Sequence, residues 1–467
     1  MIKIIILILV LSVGFVRWFN RKQKQGSANY LLISMFLQTI PLGYGKAIHT
    51  YLEGQKVDSE FNVRLGAFDN NVRIEISLAF FCLFIFLGFT KYFKNAFIPK
   101  YNIWLYILIV LCIISYFNPT NIFPLSFFPA ISILVQLVLL LKLIEYNFNK
   151  ADILKGIYDG LLLTTLLQFV LAIGYPVLGI DAVVTVFHGE GGLEWAQRRD
   201  TMSAVGTFGH PGTLSLYSLI CSIFFIGCYL KEYKKRISFY FIALNICIIV
   251  LTFSRTTYIC TALIILVLVT IEKQGRGIFS LKNILIFVGS FSVVLFVIYL
   301  SPLSKLYFES DADSQIENRF GHWLLGYEMF KNSPIFGVGI NSHVYFMLNK
   351  LSIAIDPTVL AFLIRSPIHN IHIIILAETG LIGFLPWIYF LFSRLKSYSK
   401  QCSTKFIDVN IYNITYVGIL LSVIIYGFFG WSPFRPEVLI LTVFLGYFAK
   451  ILPKGIDRSL NLANINR

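Results

Sequence analysis

Thirteen apolar runs of 15 to 24 residues, at about 2–19, 28–45, 74–90, 103–117, 125–146, 158–180, 210–230, 237–253, 256–271, 283–300, 370–393, 412–429 and 436–452, leave this chain few ways to fold. Crossing hydrocarbon as a helix takes about 20 mostly apolar residues, whereas a barrel strand takes only about 10. Lipid offers the backbone no hydrogen bonds, so a spanning segment is a helix or part of a closed barrel. Runs this long predict helices. The expected fold is therefore an all-α polytopic membrane protein with about 12–13 transmembrane helices, a single integral membrane domain over residues 1–467. Charged residues make up 13% of the chain, about half the share typical of soluble domains. The run from Met1 to Phe19 has only Lys3 as a basic leader and no small-residue cleavage site, so it reads as the first span and not as a signal peptide.

Charge sets the expected orientation. Basic residues gather on the cytoplasmic side of span ends, and strict alternation puts Arg17–Lys24, Lys91–Lys100, Lys142–Lys155, Lys231–Arg236, Lys273–Lys282, Arg394–Lys405 and Lys450–Arg467 on one side. That side then holds 25 basic and 7 acidic residues, and the other holds 14 and 17. The net charge of +15 is thus a topology signal, which excludes a nucleic-acid partner. The amino terminus is expected outside and the carboxyl terminus inside. Three outer loops have any size: about 46–73, 181–209 and the large extracytoplasmic loop 301–369. None of the seven cysteines falls in them, so no disulfide framework or CxxC metal pair is expected.

The large loop and the run after it hold most of the polar motifs. Phe320, Trp323, Leu324, Tyr327 and Phe330 recur at helical spacing, which predicts an amphipathic helix over Ser314–Asn332. Such a helix suits the outer membrane interface. Arg319, Trp323 and Tyr327, four apart, share a face. Ser333-Pro334 ends that helix, and Gly337 and Gly339 predict a tight turn. His369-Asn370 and Glu378-Thr379-Gly380 follow at the start of the next run.

Arginine is over-used on the outer side: Arg64, Arg73, Arg198, Arg199, Arg255, Arg319, Arg365 and Arg435 are 8 of its 14 basic residues, against 7 of 25 inside. Arginine's planar fork clamps phosphate bidentately, where lysine is a point charge. Small numbers alone could give such a bias. Arg255 stands out because Thr252-Phe253-Ser254-Arg255 joins two apolar runs with almost no loop. A charge near membrane depth usually faces a cavity or a partner, although an arginine snorkelling to headgroups leaves the same trace. All seven histidines fall on the outer side. His369 stands at the water boundary, where a neutral imidazole can act as a base, and His210 opens another span on the same face. His369 and His372 at i, i+3 could hold a metal, but no HExxH or cysteine partner supports it.

Taken in order, Gly206-Thr207-Phe208-Gly209-His210-Pro211, Thr252-Phe253-Ser254-Arg255, Arg319 with Trp323, Pro334 with Gly337 and Gly339, His369-Asn370 and Glu378-Thr379-Gly380 resemble the motifs of the O-antigen ligase and O-antigen polymerase superfamily. The resemblance covers about Gly206 to Gly383. It implies a membrane glycosyltransferase with a helical, GT-C-like bundle. Such an enzyme transfers an oligosaccharide from an undecaprenyl-diphosphate carrier to an acceptor hydroxyl on the outer leaflet of a bacterial cytoplasmic (inner) membrane. By similarity His369 is the base on that hydroxyl, and Arg255 and Arg319 hold the diphosphate. Arg198, Arg199, His210, Trp323, Tyr327 and Asn370 are the expected substrate contacts. No metal and no cofactor are implied, and direct displacement inverts the anomeric centre. Two features depart from the family pattern: thirteen runs against its usual twelve or so spans, and Gly212 where asparagine is frequent.

Within that resemblance a polymerase of O-antigen or capsule is the leading expectation, by analogy with Ile-, Phe-, Lys- and Asn-rich members of that type. A carrier-linked repeat unit would be both donor and acceptor, with membrane lipids around the protein and a flippase and a chain-length regulator as partners. The alternatives are ligase-type transfer to a lipid core or wall acceptor, and a transporter or flippase of carrier-linked glycan. Coupled transporters usually carry ionisable residues mid-span, and here Glu378 is the main one, since Glu145 and Asp159 lie near inner ends.

Overall fold

The computed structural model describes residues 29–42, 45–50, 71–75, 103–121, 123–148, 150–181, 184–185, 203–274, 312–350, 367–401 and 407–448. It is built of helices: α1 (Asn29–Thr39), α2 (Ile103–Phe117), α3 (Phe128–Asn147), α4 (Lys150–Gly174), α5 (Pro211–Leu230), α6 (Lys235–Leu251), α7 (Arg255–Gln274), α8 (Ala312–Asn332), α9 (His343–Lys350), α10 (Ile371–Gln401), α11 (Ile407–Gly427) and α12 (Pro436–Phe448). Among the described residues α3, α4, α5, α7 and α10 are long and apolar enough to cross a membrane, and α1, α2, α11 and α12 contain shorter apolar helices. This is the all-α polytopic architecture expected. The runs 2–19 and 283–300 lie outside the described residues. So does run 74–90, except that Ile74 and Glu75 end a strand.

That strand is a correction. Gly45–Thr50 (β1) pairs antiparallel with Asn71–Glu75 (β2), with a register shift between Ala47 and His49. A two-strand ribbon thus brackets the 46–73 loop and takes the first residues of the run expected from 74. A second difference lies between the runs 125–146 and 158–180, where α4 already begins at Lys150. Extended Phe148 (φ −113°, ψ 142°) separates α3 from α4.

The helix α5 is the axis of the bundle. Its residues from Thr213 to Cys228 are buried on every side, as expected of a helix that is apolar all round. It packs against α6, α7 and α11, while α1 lies on α4. That second contact is set by Gly156 and Gly160, four apart on α4. A Cβ on Gly156 would stand 2.6 Å from the Tyr30 carbonyl oxygen, and one on Gly160 would stand 2.9 Å from Leu37 Cβ. Small residues at this spacing let membrane helices approach closely.

Polar contacts sort the helices into two ends. At one end Lys231 pairs with Glu272 at 2.6 Å, Lys234 with Asp159 at 3.4 Å, and Glu145 takes both Lys142 and the Tyr447 hydroxyl. At the opposite ends of the same helices, Gln168 donates to the Thr207 hydroxyl, Thr207 donates to the Pro41 carbonyl, and Tyr426 reaches Gly212 and Ser432. Lysine–carboxylate pairs bridge helices at the first end, and His210, His369, Arg255 and Arg319 gather at the second.

Candidate active site

The second end is built around a broken helix. At Gly380 α10 leaves helical geometry (φ 58°, ψ −161°), a region open in practice to glycine alone. The break frees backbone groups inside apolar surroundings, which is costly unless they find partners. The Pro334–Gly339 loop supplies them. Val338 and Gly339 N–H groups donate to the Ala377 and Glu378 carbonyls at 2.9 and 3.0 Å, and Leu381 and Ile382 N–H groups donate to the Pro334 and Ile335 carbonyls at 2.9 and 3.3 Å. The approach is close enough that a Cβ on Gly337 would overlap the backbone of Glu378, and one on Gly380 would overlap that of Ile335. The two glycine motifs are therefore the two sides of one joint.

The α2–α3 connection locks that loop from outside. Asn118 Nδ2 and Thr120 Oγ1 both donate to the Gly337 carbonyl, at 2.6 and 3.0 Å. Ser126 Oγ donates to the Ile340 carbonyl at 2.5 Å, and Asn341 Nδ2 donates to the Ser126 carbonyl at 3.1 Å.

His369 stands just before α10, the residue partly exposed and its imidazole set inward. Its Nδ1 lies 3.0 Å from Nδ1 of His322 on α8. The two rings are parallel to within 5°, their centroids 4.9 Å apart. Two nitrogens in this contact share one proton, so one ring donates and the other accepts. Burial pushes the His369 imidazole from its ordinary 6.5 down to about 3. Electrostatic contributions from nearby His322, Arg319 and His210 push the same way, and a hydrogen bond to the Pro367 backbone opposes them. His369 is thus a neutral imidazole beside the Arg319 guanidinium. His322, 1% exposed, was not among the expected site residues. It follows Arg319 by three residues, which puts both on one face of α8, and that spacing was the available signal.

Arg319 sits close enough to act electrostatically on both His369 and the Tyr426 hydroxyl, which also feels Arg435. The Arg435 guanidinium stands 4.6 Å from the Trp431 ring centre, and it joins the cluster as a second residue not singled out in sequence. His210 caps α5, its Nδ1 accepting from the Gly212 N–H at 3.1 Å. Arg255 is the first residue of α7. Two residues on, the Thr257 hydroxyl pairs with Ser215 of α5 at 2.8 Å, which brings the two helix starts side by side. Asn370 caps α10: its Oδ1 accepts from the N–H groups of His372 and Ile373 at 2.9 and 3.1 Å. The N-termini of α5, α7 and α10 therefore lie at this one end, and helix N-termini favour anions.

The remaining expected residues are scattered. Trp323 is half-buried, its indole N–H enclosed with no hydrogen-bond partner, and its ring edge meets Phe320. Tyr327 is exposed, with Lys331 over its ring at 4.6 Å. Arg198 and Arg199 lie outside the described residues. His372, the other half of the i, i+3 pair, turns away from His369 to the Ile424 carbonyl and the Trp387 indole. Among the described residues no group of three His, Cys, Asp or Glu side chains could hold a metal ion.

Compared with known proteins, residues 239–388 match a family model described as O-antigen ligase. That stretch runs from α6 into the broken helix and holds Arg255, Arg319, His322, His343, His369 and Glu378. The family is one of glycosyltransferase-like membrane enzymes. No curated protein matches the chain.

Proposed function

From the O-antigen ligase domain across residues 239–388, which bears out the chain's resemblance to the O-antigen ligase and polymerase superfamily, we propose that this multi-pass membrane protein polymerises a bacterial surface polysaccharide. The donor is a glycan on undecaprenyl diphosphate, and the acceptor is a hydroxyl of another carrier-linked repeat unit. The reaction takes place at the outer leaflet of the cytoplasmic membrane.

The observation that carries this reading is a neutral His369 beside Arg319, at the end of the bundle where three helices begin. The acceptor oxygen attacks the anomeric carbon while the bond from that carbon to the diphosphate oxygen breaks. The hydroxyl proton goes to His369, and the diphosphate leaves with the electron pair. When Nδ1 of His369 donates to His322, its Nε2 keeps the lone pair this step needs. Arg319 and Arg255, with the helix N-termini, meet the negative charge that grows on the leaving diphosphate, where fixed donors contribute most. The reading is a single displacement with inversion. The anion also tunes the base: burial holds His369 down most, and a bound diphosphate offsets the part that Arg319 adds, so proton affinity rises as the donor arrives.

Transport is the weaker alternative. A broken helix in a transporter usually turns its freed backbone toward substrate or ion, whereas here the Pro334–Gly339 loop takes those groups up. Ligase-type transfer remains the second reading, because the matching family model carries that description. The test is to incubate the purified protein with a carrier-linked repeat unit alone. A ladder of products supports the polymerase. Product that forms only once a lipid core or wall acceptor is added supports the ligase.

A further inference from the structure

The buried pair His343 and Glu378 is not used in the chemistry above. His343 Nδ1 lies 2.7 Å from Glu378 Oε1, and the two side chains are 0% and 8% exposed. The other ring nitrogen, Nε2, accepts from the backbone N–H of Ile368 at 3.4 Å. Ile368 is fully buried and directly precedes His369. Because Nε2 accepts, Nδ1 carries the ring proton and donates it to the carboxylate. Glu378 thereby fixes the imidazole in one tautomer, and the imidazole in turn holds the peptide that bears His369. The helix break puts Glu378 in reach of this ring, and the same joint holds the loop leading into His343.

We propose that Glu378 and His343 form a positioning pair for His369, a carboxylate–imidazole–amide chain that sets the height and angle at which the base meets the acceptor. This rests on the reading of His369 as the base. Neither residue need touch substrate. The pair acts by keeping residue 368 in one place, while His322 orients the ring of residue 369 from the other side. A base must be held to within a fraction of an ångström, and misplacing a reacting group by roughly 1 Å costs about 100-fold in rate.

The test uses the full-length protein in lipid vesicles with a short carrier-linked repeat unit as donor and acceptor. Glu378→Gln and His343→Phe are each expected to lower kcat by at least about tenfold while donor KM moves less than about twofold, the signature of lost transition-state alignment. The double variant is expected to be no slower than the slower single, because both break one chain. Nitrogen-15 spectra of histidine-labelled protein supply a readout that does not depend on turnover. They should show His343 protonated at Nδ1, and that form should be lost or mixed in Glu378→Gln. If His343→Phe does not fold, Glu378→Gln and the spectra carry the test. The proposal is overturned if both single variants keep wild-type kcat, if their effects multiply, or if His343 is protonated at Nε2. His369→Gln is assayed alongside. If it is inactive while Glu378→Gln and His343→Phe are fully active, only the positioning role fails; if it is active, the base assignment fails and the positioning role with it.

Discussion

His369 and His322 face each other through their Nδ1 atoms at 3.0 Å, and one proton serves both rings. Residues 47 apart in the chain thus form a single hydrogen-bonded imidazole pair at the start of α10. On the proposed mechanism, with His322 accepting, His369 has a lone pair for the acceptor and a partner that disperses the charge it takes up. His322→Phe should therefore keep donor binding and lower kcat by about 10- to 100-fold, below the full effect of losing a general base. Separate kcat and KM measurements check this, and a change confined to KM would contradict it.

The depressed His369 pKa makes a prediction about rate and pH. The profile of kcat/KM reports the free enzyme, in which His369 takes a proton only near pH 3. Between pH 7 and about 5 this group should impose almost no acid loss, whereas a base at 6.5 would lose about thirtyfold by pH 5. In Arg319→Gln one of the charges holding the imidazole down is gone, so the acid limb should move to higher pH.

Stability should follow the same group, with the sign set by which state binds more protons. The folded pKa lies below the unfolded one, so between about pH 6.5 and 3 the unfolded chain is the more protonated and acidification destabilises the fold. Thermal unfolding at pH 7 and pH 5 should show a larger loss for the wild-type protein than for His369→Gln. Parallel losses would count against the assignment.

The glycine joint predicts a graded effect on stability. Gly380→Ala and Gly337→Ala combine a positive φ with overlap against a packed backbone, so each should cost on the order of 2–4 kcal/mol. Gly179 also has positive φ (66°), but a Cβ there would meet nothing within 4 Å. Gly179→Ala should cost only the strain, about 1 kcal/mol. Melting temperatures of the three variants separate the two contributions.

Much of this was legible in the sequence, for physical reasons that differ between elements. The apolar runs that became α2 to α7 could be read because lipid demands length and hydropathy over a contiguous stretch. The helix α8 could be read because Phe320, Leu324 and Tyr327 keep its period, and all three are exposed in the structure. Arg319 and His369 were identified through motif order, and Arg319 lies within electrostatic reach of the imidazole. Glu378 was noticed as part of the Glu378-Thr379-Gly380 motif and as an unusual mid-run carboxylate, with no role attached. Its partner His343 lies 35 residues earlier, and no periodicity joins them, because the contact depends on α10 breaking at Gly380. The ribbon Gly45–Thr50 with Asn71–Glu75 was missed because an apolar run seemed to begin at 74. Asn370, expected to touch substrate, shows instead an Oδ1 engaged in capping α10.

The arginines should not be replaceable by lysine. If Arg319 and Arg255 grip a diphosphate through their forks, Arg319→Lys and Arg255→Lys keep the charge and lose the bidentate geometry. Each should lower kcat/KM for the carrier-linked donor by about tenfold or more. Full activity in both lysine variants would mean that charge alone is read at this end of the bundle.

The most direct measurement replaces His369 with glutamine, which keeps size and polarity but cannot take up a proton. The purified variant in vesicles is given the carrier-linked repeat unit, and bond formation is followed by gel or mass spectrometry. The account predicts a folded protein that still binds donor and turns over at least about 100-fold more slowly. Glycan assembled at the wild-type rate would contradict it.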